Sequence, residues 1–252
     1  MDENSQSKTI IITGAAGGIG HGLSKHMAAL GWKVGMIDIN PKIEEMAKAI
    51  NETTVLPVVC DIRDSTQVET AIAKIEATLG LIDALVNNAG IVANIAPIAK
   101  MNDARWTNEV AVNLSAAFYF IRNIAPKMAK RGWGRIINVS SAAARSGLPA
   151  QIGYATTKSA LWGITSTTAA EFGAKGVTCN SILPGIIATP TVLSMPTHIQ
   201  EGAKKSNVLG RFGEITEIAH LVAFLCSEQA GFITGAEIDI DGGYRLNNTS
   251  LT

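Results

Sequence analysis

The stretch that decides the fold is Thr9-Ile10-Ile11-Ile12-Thr13-Gly14-Ala15-Ala16-Gly17-Gly18-Ile19-Gly20. Its β-branched first half predicts a buried strand, and a helical pattern follows its glycines. Glycines in such a turn let the backbone approach a phosphate closely, and the helix start supplies free N–H groups. The strict G-x-G-x-x-G spacing is absent, since the glycines used are Gly14, Gly18 and Gly20. The turn predicts a phosphate site, although helix starts also use glycine for purely steric reasons.

A carboxylate ends the second predicted strand, in Ile37-Asp38-Ile39-Asn40. A carboxylate about 20 residues after a glycine turn is placed to hold the ribose 2′-hydroxyl of NAD. The 2′-phosphate of NADP would meet like charge there, and no Arg or Lys stands at positions 13–20 or 38–40. Lys42 is the nearest cation, and Asp38 alone also fits a turn before Pro41. Together with the glycine turn, Asp38 predicts NAD (NADH) as cofactor, preferred over NADP.

Short β-branched runs alternate with helical patterns from one end of the chain to the other, which predicts βαβ units. The predicted strands are 9–12, 33–38, 54–60, 84–86, 135–140, 177–183 and 237–241. The predicted helices are 18–30, 41–51, 65–79, 103–130, 153–174 and 215–227. Right-handed crossovers turn this order into an α/β, doubly wound (Rossmann-type) parallel sheet of about seven strands with helices on both faces. We expect residues 1–252 to form a single dinucleotide-binding and catalytic domain.

Composition excludes several classes of protein. Hydrophobic residues make up 47% of the chain and charged residues 17%, as a sheet buried on both faces requires. Lys+Arg and Asp+Glu are equal at 21 each, so no basic excess indicates a nucleic-acid partner. The three cysteines have no metal-ligand spacing and are interpreted as reduced core residues. The polar start of the chain lacks a signal-peptide pattern and no apolar run is long enough to span a bilayer, so we expect a soluble, cytoplasmic protein without membrane contact.

Residues 189–214 form the one long stretch without a predicted strand, with a short helix predicted around 198–206. Loops of this length in compact domains are usually functional. This one follows the carboxyl end of the sixth predicted strand, on the ligand-binding side of such sheets. We interpret it as a substrate-binding lid; the alternative is a surface excursion or a subunit contact.

A catalytic group is predicted from Tyr154-Ala155-Thr156-Thr157-Lys158 at the start of a helix. The i,i+4 spacing places the phenol and the ammonium on one face. A nearby ammonium, with a cationic nicotinamide, favours the phenolate of a tyrosine whose ordinary pKa is about 10. Ser141 follows the buried run Ile136 to Ser140, at the sheet edge that also carries the glycine turn. A serine there can orient a carbonyl oxygen; no G-x-S-x-G elbow favours a hydrolase instead.

These motifs, in this order over residues 8–244, resemble the classical short-chain dehydrogenase/reductase (SDR) family. The resemblance implies a catalytic tetrad of Asn113, Ser141, Tyr154 and Lys158, in which the asparagine holds a water of the proton relay. From the residues alone, the preferred interpretation of Asn113 is a polar residue bonded within its helix. The cofactor-binding residues that the resemblance implies are Gly14, Gly18, Ile19, Gly20, Asp38, Asp61, Ile62, Asn88, Ala89, Gly90, Tyr154, Lys158, Pro184, Gly185, Ile187 and Thr189. Among these, Asp61 is the adenine contact and Ile187 the carboxamide contact.

The resemblance implies an NAD-dependent alcohol dehydrogenase or ketone reductase that transfers a hydride between a secondary alcohol and its ketone. The predicted pocket residues 93–95, 143–145, 148–151 and 186–209 are mostly small or apolar, which favours a hydrophobic, cyclic or aromatic small-molecule substrate. Arg145 is available to an anionic substrate group, or is an exposed loop residue. A 3-oxoacyl-thioester reductase of the same family is the nearest alternative. A non-catalytic dinucleotide-sensing protein is the alternative of another class.

The two longest predicted helices carry apolar residues on more than one side, including Phe118, Phe120, Leu161 and Trp162. A helix that is apolar on two faces needs two packing partners. Because members of the family commonly pair these helices between subunits, we expect a homotetramer, or at least a dimer.

Overall fold

The computed structural model describes residues 7–92 and 95–246. The polar start of the chain, residues 1–6, and two predicted pocket residues, Ala93 and Asn94, lie outside the described residues. Within the described ranges, no helix combines the length and the apolar character that crossing a bilayer requires.

Seven parallel strands form one sheet in the order β3-β2-β1-β4-β5-β6-β7. The strands are β1 (Thr9–Thr13), β2 (Lys33–Asp38), β3 (Val55–Val59), β4 (Ile82–Asn87), β5 (Gly134–Val139), β6 (Val177–Pro184) and β7 (Glu237–Ile240). The doubly wound fold is confirmed, and no strand end differs from its prediction by more than two residues. The direction of winding reverses between β1 and β4, and open α/β sheets bind ligands at the carboxyl ends beside such a reversal.

Helices cover both faces of the sheet. They are α1 (Gly18–Ala29), α2 (Ile43–Ile50), α3 (Ser65–Leu79), α4 (Asp103–Val110), α5 (Ala116–Arg131), α6 (Ala143–Ser146), α7 (Ile152–Phe172), α8 (Pro190–Leu193), α9 (Thr197–Lys204) and α10 (Ile215–Leu225). Successive residues of β1 serve opposite faces: Ile10 packs in the core that includes Met27 of α1, and Ile11 in the core that includes Phe120 of α5. A strand buried on both sides explains the unbroken apolar run in the sequence.

The predicted helix over 103–130 is present, but it is not α-helical throughout. A π-helical turn, Ala111–Ser115, separates α4 from α5. Such a turn inserts an extra residue and rotates the helix faces, and it is frequent at functional sites. The buried Asn113 lies in its middle.

Residues 189–214, which we call the lid segment, contain two short helices where the sequence predicted one. The predicted helix around 198–206 is α9, shifted slightly toward the start of the chain. The sequence missed α8, which has Pro190 in its first turn, where a proline costs no hydrogen bond, and Thr189 as its cap. The Thr189 hydroxyl accepts a hydrogen bond from the Val192 N–H at 3.3 Å.

Candidate active site

The ends of β1 and β4, where the winding of the sheet reverses, are tied together by Thr13 and Asn88. The Asn88 side-chain amide donates to the carbonyl of Thr13 at 2.8 Å. In return, the Thr13 hydroxyl accepts from the backbone N–H groups of Asn88 and Ala89, each at 3.0 Å. The resemblance placed Asn88, Ala89 and Gly90 beside the cofactor, and these bonds hold that segment against the glycine turn.

Two glycines of the turn, Gly14 and Gly20, have no room for a side chain. Gly14 has φ +65°, and a Cβ there would lie 2.8 Å from the Ala89 Cα. A Cβ at Gly20 would lie 2.2 Å from the Gly14 carbonyl oxygen. Gly17 is the N-cap of α1 and has no side chain to accept a hydrogen bond. The backbone N–H groups at this helix start therefore receive no bond from the cap residue and can donate to a ligand. The donor set and the tight backbone fit a pyrophosphate.

A cleft of about 310 Å3 continues from the glycine turn and suits an adenosine. Its lining includes Gly14, Asp38, Ile39, Asp61, Ile62, Arg63 and Gly90. One oxygen of Asp38 accepts from the Ala16 N–H at 2.9 Å and the other from the Asn40 N–H at 3.0 Å. The predicted NAD-side carboxylate therefore lies in the same cleft as the turn.

Arg63 also lines this cleft, and no sequence signal places it there because it is distant in sequence from both the glycine turn and Asp38. Its guanidinium bonds both oxygens of Asp61, at 2.6 Å for the closest pair, and donates to the Asn108 side chain at 2.9 Å. The bond from Arg63 holds the pKa of the Asp61 carboxyl below its ordinary value. The cation is thus already paired with a carboxylate of its own loop.

Tyr154 and Lys158 lie on the first turns of α7, with the Lys158 Nζ 5.8 Å from the centre of the tyrosine ring. The lysine is 3% exposed, and its ammonium donates to the Val139 carbonyl at the end of β5 at 2.7 Å. Burial lowers the pKa of Lys158 to about 8. The predicted proximity of phenol and ammonium is present.

The direction expected for the tyrosine pKa does not hold in the protein alone. Burial raises the pKa of Tyr154, and a hydrogen bond with the Ser141 side chain works in the opposite direction. Desolvation of the phenolate is the dominant cause, so the neighbouring ammonium does not bring the pKa below its ordinary value. Sequence spacing gives proximity but not the balance between desolvation and charge.

Ser141 stands directly above the end of β5, as the sequence predicted. Its Oγ accepts a hydrogen bond from the Ala143 N–H at 3.2 Å, at the start of α6. Its hydroxyl also bonds Tyr154, so the two groups that the resemblance assigns to the substrate oxygen converge on one point.

Asn113 bonds outside its own helix, which excludes the alternative interpretation drawn from the residues alone. Its Oδ1 accepts from the Ile91 N–H at 2.8 Å, and its amide donates to the Ile91 carbonyl at 3.0 Å. The amide also donates to the Thr157 hydroxyl at 3.2 Å, one residue before Lys158. Asn113 therefore links the segment after β4 to the helix of Tyr154.

The segment after β6 lies beside the glycine turn. A Cβ at Gly18 would lie 3.0 Å from the Thr189 Cβ, so residues far apart in sequence meet here. Gly185 lies so close to β7 that a Cβ would be 2.8 Å from the Asp241 Cα. Ile187 is buried, and it pairs with Gly213 as an isolated parallel bridge. Pro184, Gly185, Ile187 and Thr189 thus follow the crevice edge in order.

Arg145 is a paired residue of the framework. Its guanidinium forms ion pairs with Glu237 at 3.1 Å and with Asp239 at 3.4 Å, both on β7. Because both partners are distant in sequence, the sequence left Arg145 available to an anionic substrate group. In the structure its charge is paired within the protein.

A strained residue near the tyrosine was not predicted. Ala150 has φ +65°, which non-glycine residues rarely adopt. Its carbonyl accepts from the Ala96 N–H at 2.8 Å, so two loops beside α7 are joined across the predicted pocket. No sequence signal marks this position, since alanine does not favour positive φ.

The seven-stranded sheet, the glycine crevice and the assembled tetrad define the class of the protein. A family model described as "Enoyl-(Acyl carrier protein) reductase" matches residues 14–245. The chain belongs to the classical short-chain dehydrogenase/reductase family and is an oxidoreductase of the kind that binds a nicotinamide dinucleotide.

Individual relatives are similar over nearly their whole length. The chain is 38% identical to "Nodulation protein G" of Azospirillum brasilense, covering 94% of this chain and 97% of the relative. It is 35% identical to the 3-oxoacyl-[acyl-carrier-protein] reductase FabG of Thermotoga maritima (94% and 98%). It is 36% identical to the acetoacetyl-CoA reductase of Rhizobium meliloti (94% and 98%). The solved 3-oxoacyl-[acyl-carrier protein] reductase of Brucella melitensis superposes with a TM-score of 0.90 at 32% identity, covering 95% and 92%.

Proposed function

We propose that the protein reduces 3-oxoacyl thioesters to 3-hydroxyacyl thioesters, and catalyses the reverse reaction, with NADH and NAD as cofactor. The observation that carries the proposal is the hydrogen bond between Ser141 and Tyr154 at the crevice, with the Lys158 ammonium 5.8 Å from the centre of the tyrosine ring, in a chain similar to enzymes named for this reaction. The thioester, named in the sequence analysis only as the alternative, is thereby preferred to a cyclic or aromatic alcohol.

Each polar group at the crevice has a separate part in the reduction. The Ser141 hydroxyl donates a hydrogen bond to the substrate carbonyl oxygen and fixes its position. Tyr154 gives its phenolic proton to that oxygen as the carbonyl carbon receives the hydride. Lys158 stabilises the phenolate that remains, and Asn113 fixes the relay through which the phenolate is reprotonated. When bound, the dinucleotide supplies the hydride and, in its oxidised form, a positive charge beside the phenolate.

The preference for NAD rests on Asp38. Its carboxylate lines the adenosine cleft, where it can accept hydrogen bonds from a ribose 2′-hydroxyl and repels a 2′-phosphate. Arg63, the cation of the same cleft, is paired with Asp61. Among the described residues of the cleft, no cation forms an ion pair with Asp38, so its negative charge is not neutralised there.

A hydrophobic secondary alcohol remains a second candidate, favoured by the side chains of the lid segment. Its exposed apolar residues are Leu193, Met195, Ile199, Val208 and Leu209, each at least 40% exposed. Exposed apolar side chains gathered on one segment are available to bind an apolar ligand. Such a surface suits a cyclic or aromatic alcohol as well as an acyl chain.

The experiment is a matched rate panel. Acetoacetyl-CoA, acetophenone and cyclohexanone are compared as kcat/KM with NADH and again with NADPH. We expect acetoacetyl-CoA to exceed both simple ketones by at least about 100-fold, with NADH preferred. A reversed order of substrates would favour the second candidate. NADH binding without turnover of any compound would indicate the dinucleotide-sensing alternative.

We further propose a homotetramer, in the cytoplasm, built on α5 and α7. Phe120 and Leu161 face the core, whereas Phe118 and Trp162 remain 47% and 43% exposed. A groove of about 400 Å3 between the two helices is lined by Phe118, Ile121, Pro126, Ile164 and Phe172. Light scattering that finds a stable, active monomer would refute the assembly.

A further inference from the structure

Residues 211–217, which we call the junction, bring the lid segment back to the core. The Arg211 guanidinium donates two parallel hydrogen bonds to the Glu217 carboxylate, at 2.8 and 2.7 Å. One of its nitrogens also donates to the Phe212 carbonyl at 2.9 Å. The Glu217 carboxylate accepts from the Glu214 N–H at 2.7 Å, which caps the start of α10. The two side chains therefore clamp the backbone between them into one shape.

Gly213, inside this clamp, is the residue that contacts the segment after β6. Its N–H donates to the Ile186 carbonyl at 3.0 Å, and its own carbonyl accepts from the Ala188 N–H at 2.8 Å. A Cβ on Gly213 would lie 2.7 Å from the Ile187 Cδ1, so the two backbones are in close contact. The position of residues 186–188 is thus set by the position of Gly213.

The junction also touches the phosphate-binding helix. A Cβ on Gly22 of α1 would lie 2.2 Å from the Ile215 Cγ2, the residue that begins α10. Arg211 and Glu217 line one cavity of about 230 Å3 together with Gly185, Ile187 and Asp241. One short stretch therefore contacts both walls of the crevice.

The Arg211–Glu217 pair contributes geometry more than general stability. Its side chains are 49% and 42% exposed, and exposed ion pairs stabilise a fold little. The two-bond fork nevertheless fixes direction as well as distance, which a lysine at the same position does not do. The hydrogen bond from Arg211 lowers the pKa of Glu217 to about 2, so the carboxylate stays ionised at neutral pH.

We propose that Arg211 and Glu217 are positioning residues that hold Gly213, and through it Ile186–Ala188, where the nicotinamide end of the dinucleotide binds. The proposal rests on the proposed function, because the nicotinamide contact at Ile187 is part of it. None of the described residues that line the adenosine cleft belongs to the junction. A change in the junction should therefore affect binding of the nicotinamide half of the dinucleotide more than binding of the adenosine half.

The test compares Arg211→Met, Arg211→Lys and Glu217→Gln with wild type, using NADH and ADP-ribose as separate probes. ADP-ribose carries the adenosine and pyrophosphate but no nicotinamide. We expect Arg211→Met to weaken NADH binding about tenfold and to lower kcat, while the Kd of ADP-ribose changes less than twofold. Arg211→Lys keeps the charge but loses the two-bond fork. We expect its loss of NADH affinity to be at least half of the loss in Arg211→Met, on a logarithmic scale. Glu217→Gln carries the test if an arginine variant does not fold.

Lys127→Met and Glu76→Gln are the matched controls, since they break another 2.7 Å ion pair, between α5 and α3. We expect both to bind NADH like wild type. Equal weakening of ADP-ribose and NADH in the Arg211 variants, or unchanged NADH binding, would overturn the positioning role alone. Wild type that binds neither probe would overturn the proposed function and this inference together.

Discussion

The glycine turn after β1 and the lid segment after β6 lie on the same edge of the sheet, where Gly18 meets Thr189. In the turn, the backbone of Gly14 packs directly against the backbone of Ala89. The neighbouring residue Ala15 is fully buried. In the lid segment, Leu193 and Leu209 are 54% and 61% exposed, and the described segment holds no strand. One wall of the crevice is made of main chain and the other of replaceable side chains.

This difference separates positions that tolerate few substitutions from positions that tolerate many. A position at which two backbones approach closely tolerates few residues other than glycine. A phosphate-binding turn is therefore recognisable in the sequence as a motif. Exposed apolar side chains can change without loss of the fold, so we expect any substrate preference that they set to leave no motif in the sequence. The predictions below test this separation.

Tyr154→Phe should have the largest effect, because it removes the transferred proton and nothing from the cofactor walls. We expect kcat to fall roughly 10³-fold, with NADH affinity unchanged. In wild type, alcohol oxidation should rise with pH as the raised-pKa phenol ionises, and ketone reduction should fall. Steady-state rates from pH 6 to 10 and NADH fluorescence titration check both parts. A variant with near-normal turnover would remove Tyr154 from the mechanism.

Gly14→Ala and Gly210→Ala form a matched pair across the two walls, since φ is +65° and +66°. Both should bear similar backbone strain, about 1–2 kcal/mol. Only the Cβ at position 14 meets backbone, at 2.8 Å, whereas nothing lies within 4 Å at position 210. We expect NADH affinity to fall about 100-fold for Gly14→Ala and less than threefold for Gly210→Ala, measured with Tm for each. Similar losses in both variants would contradict the contrast between the walls.

Asp38→Asn should sharpen the assignment of the cofactor. The amide oxygen can still accept from Ala16, so the turn should persist, but the repulsion of a 2′-phosphate is lost. We expect the NADH/NADPH ratio of kcat/KM to fall about tenfold, which corresponds to about 1.4 kcal/mol. Asp61→Asn, in the same cleft, frees the Arg63 guanidinium from its paired carboxylate, so it should lower the ratio in the same direction. A wild-type enzyme that uses NADPH equally well would refute the preference.

Leu209→Ser should have the smallest effect and act on the other wall. The side chain is 61% exposed, so the Tm should change little. Loss of part of an apolar contact of about 1 kcal/mol should raise the KM for an acyl or aryl substrate roughly fivefold. The KM for NADH should not change. If instead only the KM for NADH rises, the lid segment serves the cofactor and not the substrate.

The fold and most of the tetrad could be predicted because their signals are local. Strand periods, the glycines of the turn and the i,i+4 spacing of Tyr154 and Lys158 follow from backbone geometry over a few residues. The π-turn around Asn113 could not be predicted, because its partner Ile91 lies 22 residues upstream. Neither could the pairing of Arg145 with β7, whose partners come 92 and 94 residues later.

The sequence by itself determined the order of elements, the edge of the sheet that carries the glycine turn and the spacing of the groups that we propose to react. Only the tertiary structure decided how those groups behave: burial raises the pKa of Tyr154 and lowers that of Lys158, and Arg63 enters the cleft of Asp38. The physical reason is that propensity and spacing act along the chain, whereas desolvation and charge pairing depend on which distant residues share a small volume.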